Sequence, residues 1–578
     1  MKDISLASSR TDFQLTLPDG RIFKAPVGTN LEEVFQVAYP DEPKRYLAAL
    51  VDNELHTLRF TPWRDYNVVP LTRKDDLGRL IHNRSAVLVM LAAFKEILPD
   101  VQIFVEYRMP MDGLFCRANR KLAVVELARV EACAKKIIAE DWPITFEEKT
   151  VEEAEKILAE NKEPDKINLL RYCSRKTGKA WLVSLGKVTE FFHDVLVSSA
   201  GYISTFALRP CPSGFILISS RQDVQRAEVL RDTGSVVDAA FRRATDLAHQ
   251  LSVDTVSKLN VIAGGRNSGE VREGVLVAEA AQSGSIDTIA ELIAIRETVR
   301  LVLIAGPSSS GKTTFSKRLA ISLQTQGIKP VTLEMDRYFV ERSQTPRDEK
   351  GEYDFENIRT LDLDLLQHDL DLLMNGEEVT LPSFNFTDGT RGVGPKLRLL
   401  KDQIIIAEGI HGLNPLLTGT LPSEKIFRVY ISPLTPLNID RHNNISTRDT
   451  RMLRRIVRDA RTRGQSAEAT ILRWPSIQDG EYRNIFPYQN SCDAMFNSHL
   501  LYEIAALKTY AEPLLLQIPR HSPAYPKARN LLHLLSFFEA MQDNFVPENS
   551  LLREFIGGSV LERYLPGQFE SYWSVSSD

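Results

Sequence analysis

Residues 301–314 read LVLIAGPSSSGKTT, and this stretch decides the fold of the region around it. Its five leading apolar residues predict a short buried strand, and the pattern over Phe315–Gln326 predicts a helix. Between strand and helix, Gly306–Thr313 matches G-x-x-x-x-G-K-[ST] at each position. In that context the backbone N–H groups of the loop cradle phosphates, and the helix N-terminus adds partial positive charge. The sequence therefore predicts a nucleoside triphosphate site.

The predicted ATP-binding loop consists of nine consecutive residues. They are Gly306, Pro307, Ser308, Ser309, Ser310, Gly311, Lys312, Thr313 and Thr314. Lys312 can reach the β- and γ-phosphates, and the Thr313 hydroxyl can hold Mg²⁺. The alternative is a serine- and glycine-rich turn that matches by chance, which the flanking strand and helix disfavour.

Length and composition describe an ordinary multidomain protein. Domains average about 150 residues, so a chain of 578 residues is too long for one hydrophobic core and should form several domains. A net charge of −5 gives no global signal for nucleic acid or membrane binding. The five cysteines are scattered, which favours reduced thiols, and we find neither an apolar signal segment nor a run of about 18 apolar residues. We expect a cytoplasmic protein without membrane association.

Two acidic residues follow predicted strands of the same region. Asp336 follows the strand that starts at Lys329, and Glu408 follows the apolar run QIIIA from Gln403. In open α/β sheets ligands lie at the carboxyl ends of strands. Asp336 is thus predicted as the catalytic base for a substrate hydroxyl, with a helix N-cap as its alternative, and Glu408 as a Mg²⁺ ligand.

An arginine-rich segment runs from Asp449 to Gly464 and reads DTRMLRRIVRDARTRG. Three interpretations stay open: a lid over the phosphates, a tRNA-binding face, or a solvated basic helix face. Because the segment follows the loop and the two acidic strand ends, we favour the lid.

Together these motifs resemble the phosphoribulokinase/uridine kinase family over residues 300–515, through GPSSSGKTT, DRYF, LPSFNF, IIIAEGIHGLN and the arginine segment. The resemblance implies an α/β P-loop kinase domain, a parallel sheet flanked by helices, at residues 299–520. It implies transfer of phosphate from ATP, with Mg²⁺, to the 5′-hydroxyl of a uridine- or cytidine-like nucleoside. Lys312, Asp336, Arg458 and Arg463 would be the catalytic residues.

The family pattern also predicts a substrate pocket. Its residues would be Tyr338, Glu356, Phe384, Phe386, Arg391 and Arg454. Glu356 stands where the family places an aspartate that holds the ribose hydroxyls, and Phe384 replaces a tyrosine. The histidine that reads the base would fall near Gly389 and is missing, so the preferred base is left open.

The rest of the chain divides into four predicted segments. Residues 12–70, with LTLPDGR and PVGTNLEEVF, resemble the TGS domain of threonyl-tRNA synthetases, or any ubiquitin-like α+β fold. Residues 71–220 resemble the second additional domain of those synthetases, the editing domain. Residues 221–298 read as a helical connector and 521–578 as a helical tail. The whole order resembles long bacterial-type nucleoside kinases.

The editing-like segment lacks the metal ligands of its family. Of the H-x-x-x-H pair only His82 is present, and His193, Cys173 and Cys211 are solitary. Three or four such ligands are needed to hold Zn²⁺, so we expect no editing activity.

Three functions remain after this comparison. We favour a nucleoside kinase; the alternatives are a tRNA- or ribosome-associated regulatory P-loop ATPase and a kinase of another small metabolite. A switch ATPase needs a water-positioning residue, whereas a kinase needs a base and a lid. The sequence leaves tRNA binding and homo-oligomerisation undecided.

Overall fold

The computed structural model describes residues 10–566 except 43, 109–112, 174–177, 192–194, 212–213, 220–235, 265–267, 348–350, 352, 386–387 and 420. The strands are β1 (Asp12–Thr16), β2 (Ile22–Pro26), β3 (Ala48–Val51), β4 (Glu54–His56), β5 (Tyr66–Leu71), β6 (Ile103–Arg108), β7 (Gly113–Ala118), β8 (Thr145–Thr150), β9 (Lys179–Leu185), β10 (Val188–Glu190), β11 (Ala207–Cys211), β12 (Gly214–Ile218), β13 (Leu301–Ala305), β14 (Lys329–Glu334), β15 (Glu378–Asn385), β16 (Thr390–Arg398), β17 (Gln403–Glu408), β18 (Ile426–Ser432), β19 (Asn438–Asp440), β20 (Asn443–Asn444) and β21 (Ala494–Asn497).

The α-helices are α1 (Leu31–Ala38), α2 (Asp76–Ile97), α3 (Val124–Ala139), α4 (Val151–Glu160), α5 (Pro164–Cys173), α6 (Val236–Gln250), α7 (Val256–Ala263), α8 (Ser268–Ile295), α9 (Lys312–Thr325), α10 (Leu363–Met374), α11 (Thr447–Arg463), α12 (Ala467–Asn484), α13 (Glu503–Leu516), α14 (Tyr525–Ser536) and α15 (Arg553–Ile556). Within the described ranges, none of the helices has both the length and the apolar character needed to cross a membrane.

A five-stranded parallel sheet with the order β14-β17-β13-β18-β21 forms the centre of the C-terminal half. Strand β13 lies in its middle, and all five of its side chains are buried. Val302 and Ile304 pack into one apolar cluster with α9, whereas Leu301 and Leu303 pack into another with α10. Helices therefore cover both faces, which is why β13 is continuously apolar. The predicted parallel sheet flanked by helices is confirmed.

The strand register brings three strand ends together at one edge of this sheet. Ile304 and Glu334 both pair with Glu408, the last residue of β17. Asp336 lies two residues beyond β14, in a short 3₁₀ helix that spans Met335–Tyr338. The loop after β13 and both acidic residues thus lie at the same sheet edge.

Residues 12–71 contain a mixed sheet with the order β2-β1-β5-β3-β4, on which α1 packs. Asn30 caps α1, and its side chain and that of Glu33 form a reciprocal capping box. The sequence pattern predicts one strand from Leu47 to Leu55, but the structure has the hairpin β3–β4. Asp52 and Asn53 form its turn with φ of 46° and 65°, the left-handed values that a tight hairpin needs.

Two apolar cores cross the predicted segment boundaries. The core of the first sheet continues into α2, α3 and the antiparallel sheet β11-β12-β7-β6. A second core joins α7 and α8 to α9, α11, α13 and α14. Described parts of the predicted connector and tail are therefore packed into the core of the C-terminal half, and the boundaries themselves stay predictions.

Candidate active site

The loop between β13 and α9 requires its two motif glycines for different reasons. Gly311 has a φ of 90°, in the left-handed region, and a Cβ there would lie 2.6 Å from the Leu551 side chain. A Cβ on Gly306 would lie 2.1 Å from the carbonyl oxygen of Ile431 on β18. The loop therefore lies tightly against β18 and against the C-terminal segment.

Lys312 begins α9 and folds back over the loop. Its Nζ donates hydrogen bonds to the carbonyl oxygens of Gly306 at 3.0 Å and Pro307 at 3.2 Å. Burial lowers the pKa of Lys312, while the charges of Glu408, Glu554 and Asp336 oppose that shift. The ammonium group thus lies within the electrostatic reach of three carboxylates.

Thr313 and Glu408 lie in direct contact. The Thr313 hydroxyl donates to Oε1 of Glu408 at 2.8 Å. Burial raises the pKa of Glu408 to about 7, although the charge of Lys312 acts in the opposite direction. A hydroxyl and a carboxylate are the hard oxygen donors that suit Mg²⁺ beside phosphates, so this donor pair fits the predicted metal.

Asp336 lies just beyond the end of β14, and much of its surface is exposed to solvent. The protein atoms around it nevertheless displace enough water to raise the pKa of its carboxyl, against the charges of Lys312 and Arg463. A carboxyl with a raised pKa that remains reachable from the cleft is a suitable proton acceptor for a substrate hydroxyl.

A single buried carboxylate on α11 organises the arginines that face this cleft. Asp459 is fully buried, accepts from Arg455 at 3.1 Å and Arg458 at 3.0 Å, and forms an ion pair with Arg463 at 3.4 Å. The charge of Arg458 lowers the pKa of Lys312, and that of Arg463 lowers the pKa of Asp336. Arg458 and Arg463, both predicted to be catalytic, therefore lie near the lysine and the predicted base.

Arg454 and Tyr338, both predicted as substrate-pocket residues, have buried side chains. Arg454 has no exposed surface, is ion-paired with Glu503, and donates to the carbonyl oxygen of Ser498 at 2.8 Å. Tyr338 is buried as well, and its hydroxyl donates to Oδ2 of Asp369 at 2.9 Å. Sequence position placed both near the site, but their side chains point into the protein interior.

Glu356 lies against α12. A Cβ on Gly480 would lie 2.2 Å from the Glu356 Cβ, which shows how closely the two segments approach. Burial and then the charge of Glu481 raise the pKa of Glu356 to about 7. Among the described residues its Oε2 has no hydrogen-bond partner. This carboxyl therefore has an oxygen left over for one further hydrogen bond.

Two further predicted substrate residues, Phe384 and Arg391, belong to the β15–β16 hairpin. Phe384 packs edge-to-face on Phe339 with ring centroids 5.5 Å apart. Arg391 is ion-paired at 2.9 Å with Asp362, the N-cap of α10. Phe386 lies outside the described residues.

Two carboxylates that hold the phosphate-binding loop were not predicted. Glu481 on α12 accepts from the N–H of Ser308 at 3.0 Å. Glu554 on α15 accepts from the N–H of Thr314 at 3.1 Å and from its hydroxyl at 2.8 Å. Both lie more than 170 residues from their partners, and no local pattern marks either of them.

His82, one of the residues compared above with the metal ligands of the editing domain, is buried. Burial lowers the pKa of His82 to about 3, and its Nε2 has no partner among the described residues. Burial raises the pKa of the Cys173 thiol to about 12. His193 lies outside the described residues.

A different cluster of ligand-type side chains lies where the N-terminal half contacts β19 and β20. It consists of Glu163, Glu190 and His442, all buried. The ammonium group of Lys166 lies among them, 2.7 Å from Glu163 and 2.8 Å from the His442 ring, and is ion-paired with Glu190. A lysine thus already supplies the positive charge that this cluster needs.

Comparison with known proteins finds similarity in both halves of the chain. Residues 301–504 match the sequence model of the phosphoribulokinase / uridine kinase family. A uridine kinase of Staphylococcus epidermidis is 30% identical over 177 residues, which are 31% of this chain and 76% of that protein.

A threonine–tRNA ligase of Symbiobacterium thermophilum is 31% identical over 200 residues, 34% of this chain but only 30% of the ligase. That match is consistent with the predicted synthetase-like additions. A solved structure described as a possible uridine kinase from Bacillus stearothermophilus is 26% identical, with a TM-score of 0.22, and the match covers 25% of this chain and 79% of that one.

Proposed function

This chain belongs to the phosphoribulokinase/uridine kinase family, and we propose that it transfers the γ-phosphoryl group of ATP to the 5′-hydroxyl of a nucleoside. Family membership supports a phosphotransferase; the nucleoside is our proposal. The observation that supports the proposed transfer is that five charged residues lie close together: Lys312, Asp336, Glu408, Arg458 and Arg463. They are close enough for the charge of one to shift the pKa of another.

The residues of the site divide the work of phosphoryl transfer. The loop N–H groups and Lys312 bind the phosphates, and Arg458 and Arg463 stabilise the charge on the transferring group. Asp336 accepts the proton of the 5′-hydroxyl as the new O–P bond forms. The bond from the γ-phosphorus to the bridging oxygen breaks, and ADP leaves with the electron pair.

The metal that this family implies fits the donors present. Thr313 and Glu408 would hold Mg²⁺, which supplies neutralising charge to the phosphates when it is bound. Neither residue is required to donate or accept the transferred proton, so their role is separable from that of Asp336.

For the N-terminal half we propose a TGS-like module followed by a module derived from a synthetase editing domain. The match to the threonine–tRNA ligase supports this proposal. Because the second histidine of the H-x-x-x-H pair is absent after His82, we expect no metal-dependent editing there. The same match favours a second candidate function, a regulatory ATPase that associates with tRNA or the ribosome.

A nucleoside panel tests the proposed function directly. Purified protein is incubated with ATP, Mg²⁺ and uridine, cytidine, adenosine or guanosine, and the 5′-monophosphate is quantified. Formation of UMP or CMP supports the proposal. ATP hydrolysis stimulated by tRNA, with no monophosphate from any nucleoside, contradicts it and favours the second candidate. Activity toward a phosphosugar or pantothenate instead would assign another substrate of the family.

The pH dependence of nucleoside binding should report on Glu356. With a pKa of about 7, its carboxyl is protonated in the empty site below that pH, whereas ribose hydroxyls donate best to the carboxylate. We expect KM for the nucleoside to rise about tenfold for each pH unit below 7. Glu356→Gln should raise KM and abolish this dependence. A wild-type KM that is constant between pH 5.5 and 8 would contradict the assignment.

A further inference from the structure

The N-terminus of α9 carries the N–H groups that a phosphate-binding loop offers to its ligand. The first intrahelical hydrogen bond runs from the N–H of Phe315 to the carbonyl oxygen of Gly311 at 3.0 Å. The N–H groups of Lys312, Thr313 and Thr314 precede it and have no carbonyl partner within the helix. In P-loops such groups bind the α- and β-phosphates.

One of these N–H groups is already occupied by a side chain of the same chain. A single oxygen of Glu554, Oε2, accepts from both the N–H and the hydroxyl of Thr314, at 3.1 and 2.8 Å. The contact spans 240 residues, so it is a product of the tertiary fold. A carboxylate therefore lies where the loop would receive an anionic ligand.

The backbone that carries Glu554 is firmly anchored. Leu551, Leu552 and Phe555 are fully buried in the core of the C-terminal half. Arg461 on α11 donates to the carbonyl oxygens of Glu554 at 3.0 Å and Phe555 at 3.2 Å. The backbone here is held in place, so the side chain can leave Thr314 only by rotating about its own bonds.

We propose that Glu554 is an internal competitor of the nucleotide, whose carboxylate must leave the Thr314 N–H before the phosphates can bind there. The inference deepens the proposed function, because it rests on phosphate binding at this loop. One N–H proton cannot serve two anions, and a carboxylate and a phosphate held side by side repel each other. The contact thus orders the empty site, and the need to break it lowers the affinity for nucleotide.

The consequence is a lower apparent affinity for nucleotide in the wild-type protein. Apparent Kd equals the intrinsic Kd divided by the fraction of molecules in which Glu554 has rotated away. The negative charge of Glu554 also acts on Lys312, which must reach the same ligand. Removing that charge should therefore tighten nucleotide binding, whereas removing an ordinary binding residue would weaken it.

Calorimetric titration of the full-length protein with ADP and with a non-hydrolysable ATP analogue tests this inference. Glu554→Gln keeps the side-chain shape and removes the charge, and Glu554→Ala removes the contact. Glu562→Gln is the matched control, because Glu562 is exposed on the same segment. We expect Kd to fall about tenfold in both Glu554 variants, the effect of one charge-assisted hydrogen bond, and to stay unchanged in the control.

Equal or weaker nucleotide binding in folded Glu554→Gln and Glu554→Ala, judged by wild-type unfolding temperatures without ligand, would overturn the inference. Tighter binding without phosphorylation of any nucleoside would support it and contradict only the kinase activity. No nucleotide binding by any variant, wild type included, would overturn both the inference and the ATP site.

Discussion

Asp336→Asn should lower the turnover number with a nucleoside by about 10²-fold or more, the usual contribution of a general base. The amide cannot accept the proton of the 5′-hydroxyl, but it keeps the size and position of the carboxyl. Because the loop N–H groups and Lys312 are untouched, the Kd for ATP should stay near that of wild type. Steady-state kinetics and calorimetry measure the two quantities.

Glu334→Gln provides the control for charge at the same strand end. Glu334 is exposed, lies two residues before Asp336 and raises the pKa of that residue. Glu334→Gln should leave the turnover number within a few-fold of wild type, since Glu334 contacts no reacting atom. Unchanged turnover in Asp336→Asn would show that another group accepts the proton.

Glu503→Gln should lower the free energy of unfolding by about 3–5 kcal/mol, because it leaves the Arg454 guanidinium buried without its counter-charge. Both side chains are fully buried beneath the phosphate-binding loop. Urea denaturation measures the loss. Glu378→Gln, which breaks an exposed ion pair with Lys396, should leave the transition unchanged.

The same pair makes a prediction about acid stability. Burial alone would raise the pKa of Glu503, but Arg454 and His499 together lower it to about 2. A carboxyl with a depressed pKa stabilises the fold above about pH 4.5 and loses that contribution as the pH falls toward 2. The difference in stability between wild type and Glu503→Gln should therefore shrink over that range. A difference that stays constant would mean that Glu503 is not ionised in the folded protein.

The fold of the C-terminal half was predictable because its strongest signals are local. An apolar run, a glycine-rich loop and a helical pattern follow one another over residues 301–326, and a parallel sheet with helices on both faces results. Asp336 and Glu408 were placed at the sheet edge by counting from the ends of two apolar strands. In the N-terminal half, the turn at Asp52 and Asn53 was missed because its dipeptide lacks glycine.

Side-chain direction on the arginine helix was not predictable from its sequence. Helical spacing places seven arginines around α11, and the packing partners of each face decide what each arginine does. Arg458 and Arg463 share Asp459 beside the cleft, whereas Arg454 on the inner face is paired with Glu503 on α13. Asp459 lies in the arginine segment, but Glu503 lies 49 residues from Arg454 and is not apparent from that segment alone.

The sequence by itself determined that this chain carries a phosphate-binding loop, and which carboxyls lie at the strand ends beside it. Those features depend on residues that are close in sequence, so short-range patterns are enough to specify them. Only the tertiary structure decided that Arg454 lies below the loop, and that Glu481 and Glu554 bind its N–H groups. Those contacts join residues roughly 50 to 240 positions apart, and they exist only because packing of the apolar core brings the helices together.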